Sequence, residues 1–389
     1  MLTRPHGHPL SDHIHKPPDF PSSFITLTAK MPSTTHPEFN ANTEALEVAK
    51  SFQDGIRGKT VLVTGGNTDG IGFTTCQAFA SQSPAHIIIA GRTLSKINKS
   101  IDLLKAEYPD VDYRSLVVDL SSQKSIRGAA AELLSWSDVP VINIIVNSAG
   151  VMGMPERMLS EDGIELHFAT NHIGHWLLTC SLMPKLIKAA EGSPKGATRV
   201  INVSSASPKV ARMRWSDMNF DKLNKDLPEE EQPNYQFIEM WGYKNLRNIS
   251  YIGLEGYNIS KVANVLFGIG ANKRLYEKYG ILTLALHPGV ILTELGRNFP
   301  PEILESIEAL NKSGFYQRKT LGAGASTSLV AALDPKLGPG ETRNGKENYG
   351  AYLDDCQISE AALPGAVSSA EAEKLWKLSE ELVKEKFEW

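Results

Sequence analysis

Tyr257 and Lys261 stand four residues apart in the stretch YNISK. On a helix that spacing puts both side chains on one face. A free tyrosine titrates near 10 and is a poor acid–base at neutral pH. An ammonium within a few ångströms favours the phenolate and lowers that value. Such a pair can protonate a carbonyl oxygen while its carbon receives hydride. A tyrosine and a lysine at this spacing are common by chance, so the chain must also supply a place for the hydride donor.

The stretch VTGGNTDGIG, residues 63–72, is the first part of that place. A glycine-rich loop between strand and helix presents backbone N–H groups and a helix N-terminus to a pyrophosphate. Gly65, Asn67, Asp69, Gly70, Ile71 and Gly72 are the residues it would use. The next apolar run ends in Ala90-Gly91-Arg92-Thr93. A site for NAD typically has a carboxylate here for the ribose hydroxyls, whereas Arg92, with Lys96 one helical turn on, suits a 2′-phosphate. The other reading of Arg92 and Lys96 is a solvated surface pair. The arginine also argues against an S-adenosylmethionine site. Asp119-Leu120 is placed to meet an adenine ring. The small residues of Asn147-Ser148-Ala149-Gly150 let a cofactor approach closely. Ser204-Ser205 closes a further apolar run, and Pro288-Gly289 another.

These polar groups all sit at the ends of apolar segments. The segments are KTVLVTG (59–65), HIIIAGR (86–92), SLVVDL (115–120), VINIIVNSAG (141–150), TRVINVSS (198–205) and ILTLALHPG (281–289). Helical patterns separate them, at about 94–108, 122–135, 161–189 and 256–279, with a further one after the glycine loop. Strands apolar throughout are buried on both faces, as in parallel sheets. Repeated βα units predict an α/β fold with a doubly wound parallel sheet, a Rossmann fold, in a single domain over 56–389. Ligands of such sheets bind beyond the carboxyl ends of the strands.

Residues 206–255 interrupt the alternation just before the Tyr257 helix, and the interval is too long for an ordinary connection. They carry Trp215, Phe220, Tyr235, Phe237, Trp241, Tyr243 and Tyr251. The insertion is either a lid over a substrate or a surface appendage with a small core of its own.

The chain has 389 residues, 41% of them hydrophobic, and a formal net charge of -4. That is ample for a large core and offers no basic face to nucleic acid. No apolar run is long enough for a membrane span. Three cysteines (Cys76, Cys180, Cys356) have no metal-ligand spacing, and a reducing compartment is the simple reading. No metal site is expected, since no carboxylate or cysteine framework accompanies the histidines near the start. Residues 1–55 read as a disordered or loosely structured extension, rich in Pro, Ser and His at first. No apolar signal segment is visible, so the expected location is cytoplasmic, with mitochondrial import by the extension as the alternative.

Taken together, TG…GIG, AGR, DL, NSAG, HFATNHIGH, INVSS, YNISK and HPGV resemble the short-chain dehydrogenase/reductase superfamily over about 58–389. HFATNHIGHWLLT (167–179) and LHPGVILTEL (286–295) are most similar to the branch of retinol dehydrogenases and WW-domain oxidoreductases, and the C-terminal segment resembles fungal members. The resemblance implies a catalytic tetrad of Asn171, Ser205, Tyr257 and Lys261. In it Tyr257 is the general acid and Lys261 lowers its pKa and binds the nicotinamide ribose. Ser205 bonds the substrate carbonyl, and Asn171 holds a water in a proton relay. Pro288, Gly289, Val290 and Thr293 would lie near the nicotinamide. The helices at 161–189 and 256–279 resemble those through which family members dimerise, which implies a homodimer; a monomer is the alternative.

Three departures stand out. Ser148 replaces a frequent second Asn, and the interval from Ser205 to Tyr257 is long. Four residues, Gly66 to Asp69, separate Thr64-Gly65 from Gly70-Ile71-Gly72, where the family usually has three. Keeping Thr64 at the strand end preserves the strand register and widens the loop by one residue, with Asn67-Thr68 turning back on their own backbone. The reading that follows is an NADP(H)-dependent oxidoreductase interconverting a small-molecule ketone or aldehyde, a bulky apolar lipid or secondary metabolite, and its alcohol. The alternatives are a non-catalytic NADP(H)-binding regulator on the same fold, which would not need the tetrad, and a dehydratase or epimerase, which usually carries a larger C-terminal substrate domain.

Overall fold

The computed structural model describes residues 34–389. Six strands follow the predicted alternation: β1 (Thr60–Thr64), β2 (His86–Gly91), β3 (Asp112–Val117), β4 (Ile144–Asn147), β5 (Thr198–Val203) and β6 (Ile281–His287). Beyond them come a small hairpin, β7 (Glu341–Arg343) and β8 (Lys346–Tyr349), then β9 (Tyr352–Asp354) and β10 (Gln357–Ile358). The main sheet runs β10-β9-β6-β5-β4-β1-β2-β3. Every pairing is parallel except that of β9 with β10. The order reverses between β1 and β4, which is the switch point where doubly wound sheets bind ligands. The third strand begins and ends three residues earlier than its apolar text implies. Val118, Asp119 and Leu120 have already left the sheet to wall a cleft at its end.

The helices are α1 (Ala45–Ser51), α2 (Ile71–Ala80), α3 (Leu94–Glu107), α4 (Gln123–Ser135), α5 (Leu166–Phe168), α6 (Gly174–Ser181), α7 (Met183–Glu191), α8 (Tyr235–Met240), α9 (Gly253–Tyr279), α10 (Pro301–Lys312), α11 (Leu321–Leu333) and α12 (Ser369–Val383). Alternate strand residues feed two cores. Val61, Ile87 and Ile89 face α1, α2, α3 and α11, while Leu62, Ile88 and Ile145 face α4, α6, α9 and α12. This is the period-two alternation of a sheet covered on both sides. The helix expected from residue 161 starts at Leu166, because residues 159–165 form a turn closed by a bridge between Leu159 and Glu165.

One expectation changes. The extension read as loose to residue 55 is ordered from Thr34 onward. Thr35 donates through its N–H and its hydroxyl to the carboxylate of Asp334, both at 2.6 Å. Gln357 Nε2 donates to the carbonyl of Phe39 at 2.7 Å. The ring of Phe39 is buried, as are Val48 and Ala49 of α1, which packs on α11. A segment with little apolar periodicity is thus held by side-chain bonds to distant partners. The rest of the composition-based reading, residues 1–33, lies outside the described residues.

The helices named in the expectation of a dimer are packed within the chain. α9 is buried on every face through Asn272, as a helix enclosed in a core must be. Its outer side is covered by α12 of the same chain. The Trp176 and Trp376 rings meet edge to face, with centroids 5.2 Å apart, and Phe387 stacks on Trp389 beside them. The C-terminal helix therefore packs on one of the two helices that the resemblance assigns to a dimer contact.

Candidate active site

The end of β1 answers the question of loop register. Thr64 is its last residue, and its hydroxyl accepts from the N–H groups of Ser148 and Ala149, each at 3.0 Å. The extra loop residue is absorbed by Asp69, which takes a left-handed conformation (φ 64°) that most side chains avoid. Gly70 then caps α2 in an extended conformation. Close approach explains two other glycines. A Cβ on Gly65 would lie 2.7 Å from Ala149 Cα, and one on Gly72 would lie 2.4 Å from the carbonyl oxygen of Gly65.

These elements form one wall of a cleft. It runs from Gly65, Asn67, Asp69, Gly70, Ile71 and Gly72 past Arg92, Asp119, Leu120, Ala149 and Gly150 to Tyr257, Lys261, Pro288 and Thr293. A string of backbone N–H groups at the start of a ten-residue helix, a cation at one end and the Tyr257 phenol at the other fit a dinucleotide with its pyrophosphate on the loop. Arg92 is exposed and makes no ion pair among the described residues. Lys96 is outside the cleft lining, 3.6 Å from Glu294 Oε2. Asn147 lies under the cleft floor and donates to Asn202 Oδ1 at 2.9 Å, so it braces β4 against β5. Gly289 and Val290 line a neighbouring apolar pocket instead. The sequence reading missed Arg297 and Glu294, which also line the cleft and carry no motif.

The four tetrad residues come together. Asn171 is in a π-helical turn (Ala169–Ile173) between α5 and α6, an irregularity frequent at functional sites. Its amide accepts from Val151 N–H at 2.8 Å and donates to Val151 O at 3.0 Å and Ser260 Oγ at 2.9 Å. All of its side-chain polar atoms thus hold protein. A Cβ on Gly150 would lie 3.2 Å from Asn171 Oδ1 and 3.7 Å from Lys261 Nζ, which shows how tightly the three residues converge. Lys261 Nζ donates to the carbonyl of Val203 at 2.8 Å, and its ammonium sits 5.6 Å from the Tyr257 ring centre.

Burial governs both titrations. It pushes the Tyr257 phenol up from its usual value, with Ser205 pulling the other way. It brings the Lys261 amine down to about 7. The expected lowering of Tyr257 by a fully charged Lys261 is therefore not what this pocket does by itself. Desolvation disfavours both charged forms, raising the phenol and lowering the amine.

His175, unremarked in the sequence reading although it lies in HFATNHIGH, ties the site to the sheet. Its Nδ1 donates to the carbonyl of Asn171 at 3.0 Å, and its Nε2 then accepts from the Thr64 hydroxyl at 2.8 Å. Burial lowers its pKa to about 4, so it works as a neutral strut.

Ser205 is two residues past the end of β5 and faces the second pocket. That pocket is walled by Phe237, Trp241, Val290, Phe299, Leu304, Ile307 and Tyr316, and it meets the cleft at Tyr257, Thr293 and Leu295. The two readings of the insertion divide along its length. Phe237 and Trp241, at α8, face the pocket. Trp215 instead bonds Glu371, and Phe220 is buried against Tyr251 and the Arg214 guanidinium. Arg214 is itself buried and bonds Asp217 Oδ2 at 2.6 Å and Asn224 Oδ1 at 2.5 Å, which frames the first half of the insertion. The other half of the cover, α10, was not visible as such in the sequence.

The sheet order, cleft and tyrosine–lysine helix define an oxidoreductase of the Rossmann type, and the comparisons agree. The short chain dehydrogenase family pattern matches residues 59–217. Oxidoreductase fscI of Fusarium equiseti is 36% identical over 251 residues, which cover 64% of this chain and 94% of that protein. Retinol dehydrogenase 14 of Homo sapiens is 32% identical over 342 residues, covering 84% and 87%. An uncharacterized protein of Mycobacterium Paratuberculosis has a similar fold, with a TM-score of 0.57 and 23% identity, covering 86% of this chain and 96% of that one. The chain belongs to the short-chain dehydrogenase family, in its retinol dehydrogenase-like branch. Among the described residues no helix is long and apolar enough to cross a membrane, and no group of His, Cys, Asp or Glu could hold a metal ion.

Proposed function

We propose that the protein interconverts a bulky apolar ketone or aldehyde and its alcohol with NADP(H). One observation carries this reading: Tyr257 lines both the polar cleft and the apolar pocket, with Ser205 at the pocket side of the same junction. A dinucleotide in the cleft would be held by the Gly65–Gly72 loop, Arg92, Asp119 and Lys261, and would supply hydride. Arg92 would meet the 2′-phosphate as an unpaired cation. Ser205 would bond the carbonyl oxygen, and the Tyr257 hydroxyl would hold the proton that this oxygen takes up. Burial keeps that phenol protonated in the resting site, so Tyr257 begins as an acid in the reducing direction. Lys261 would bond the nicotinamide ribose and Asn171 would fix the loop around Gly150. Phe237 and Trp241 with α10 would exclude water from the reacting atoms.

The test is NADPH oxidation by purified protein across aliphatic, aromatic and steroidal carbonyls. Tyr257→Phe should abolish turnover and keep coenzyme affinity, because the ring still packs. Near-wild-type rates in that variant would overturn the assignment.

A further inference from the structure

Among the polar residues lining the apolar pocket, beside Ser207, Asn258 and Arg318, is one that the reading above does not use. His287, the last residue of β6, lines the pocket on the strand next to Ser205. The register pairs Val203 with Leu286, and Ser204 N–H donates to Leu286 O at 2.8 Å. His287 and the Ser204-Ser205 step are therefore neighbours across one strand spacing, roughly 5 Å. Resting on the proposed carbonyl chemistry, we propose that His287 recognises a second oxygen of the substrate, an acceptor two to four bonds from the reacting carbon, so that the preferred compound is a dioxygenated one such as a 1,3-diketone or a hydroxyketone.

Two features of the ring point this way. His287 Nδ1 is buried and has no hydrogen-bond partner. A buried unpaired N–H is rarer and more costly than an unpaired lone pair. The favoured tautomer therefore leaves the lone pair on Nδ1 and carries the proton on Nε2, the other ring nitrogen of this pocket-lining residue. The ring is neutral in ordinary buffers, because burial lowers its pKa to about 4. The charges around it balance: Asp354 pairs with Lys209, and Asp355 pairs with Lys319 at 2.5 Å. A neutral N–H donor in a mostly apolar wall selects an uncharged acceptor oxygen. It neither demands a carboxylate nor tolerates a hydrocarbon there without loss.

Two probes differ only in the second oxygen: 2,2-dimethyl-1-phenylbutane-1,3-dione and 2,2-dimethyl-1-phenylbutan-1-one, neither of which can enolise between its carbonyls. Calorimetric titration of each into the full chain with NADP+ present gives a ratio of dissociation constants. The dione should bind about five- to tenfold tighter, the size of one hydrogen bond. In His287→Phe that preference should fall to near one, and in His287→Gln, which keeps a donor, it should partly return. Equal affinities in the wild type, binding of neither ketone, or a preference that survives in His287→Phe would overturn the proposal. Reduction of the same two ketones by NADPH is read separately. A dione preference in binding without any reduction would count against the carbonyl chemistry alone, and reduction of both without preference would count against His287 alone.

Discussion

Ser205 Oγ lies 2.7 Å from Ser207 Oγ and donates to it, while the Ser207 N–H donates back at 2.9 Å. Ser207 in turn donates to Asn258 Oδ1 at 2.8 Å, and Asn258 Nδ2 donates to Glu255 Oε2 at 3.2 Å. The rotamer of Ser205 is thus set by a chain of side chains reaching into α9, next to Tyr257. Ser207 is a positioning residue here, since it acts on the carbonyl through Ser205. Ser207→Ala should lower kcat by up to about tenfold, and Ser205→Ala by about a hundredfold or more, as for loss of a preorganised donor. Coenzyme affinity should hold in both. Steady-state kinetics on one confirmed carbonyl decides it; an unchanged kcat in Ser207→Ala would show that Ser205 is oriented without its neighbour.

Arg92 should decide between coenzymes. A charge-assisted contact to phosphate contributes roughly 1.5–3 kcal/mol, about tenfold or more in affinity. Arg92→Asp should lose that factor for NADPH and keep or gain affinity for NADH. Equal affinity for the two coenzymes in the wild type would remove the case for a 2′-phosphate site.

The insertion should respond to mutation in two ways. Trp241 faces the apolar pocket, whereas Trp215 bonds Glu371 outside it. Trp241→Ala should raise KM for a bulky apolar carbonyl by about tenfold with kcat little changed, the mark of lost uniform binding. Trp215→Ala should lower the melting temperature and leave KM alone. The reverse pattern would make α8 a structural appendage.

Glu255 gives a pH signature. Burial raises its carboxyl from 4.5 to about 7. Between those values the folded chain holds a proton that the unfolded chain has released, so stability falls as pH rises. The contribution is fully present below the unfolded value and is lost as pH passes through the folded one. Glu255→Gln should therefore show a smaller drop in melting temperature between pH 4.5 and 7.5 than the wild type. Parallel curves would mean that this carboxyl is ionised in the folded chain.

The covering of α9 by α12 predicts that the protein sediments as a single chain. Trp376 is 2% exposed, and the Arg274 guanidinium lies 4.2 Å from its ring centre. Trp376→Ala should cost about 3–5 kcal/mol, as for other buried aromatics, and it should promote self-association by opening the apolar face beneath. A wild-type dimer in sedimentation would place the subunit contact elsewhere on the surface.

Much of the cleft was legible in the sequence because its physics is local. A strand ending in Thr64-Gly65, a helix starting after Gly70, and a tyrosine and a lysine one turn apart on α9 are set by short-range backbone and periodicity rules. Thr64 at the end of β1 follows from that register. Other features depend on partners far away in the chain. Thr34–Asn42 reads as loose because its partners, Asp334 and Gln357, are about three hundred residues away. The third strand stops before its apolar text does because the cleft, and not the strand, claims Val118 to Leu120.

The sequence by itself determined the alternation of strands and helices, the parallel doubly wound class and the glycine loop, since periodicity and local backbone rules set them. Only the tertiary structure decided the rest. It placed α12 over α9, split the insertion between frame and cover, joined α10 to the pocket, and buried both Tyr257 and Lys261. Each of these depends on what is buried against what. Spacing shows which side chains can meet; it does not show how much water leaves when they do, and desolvation is what sets the charge of Lys261 and the proton of Tyr257.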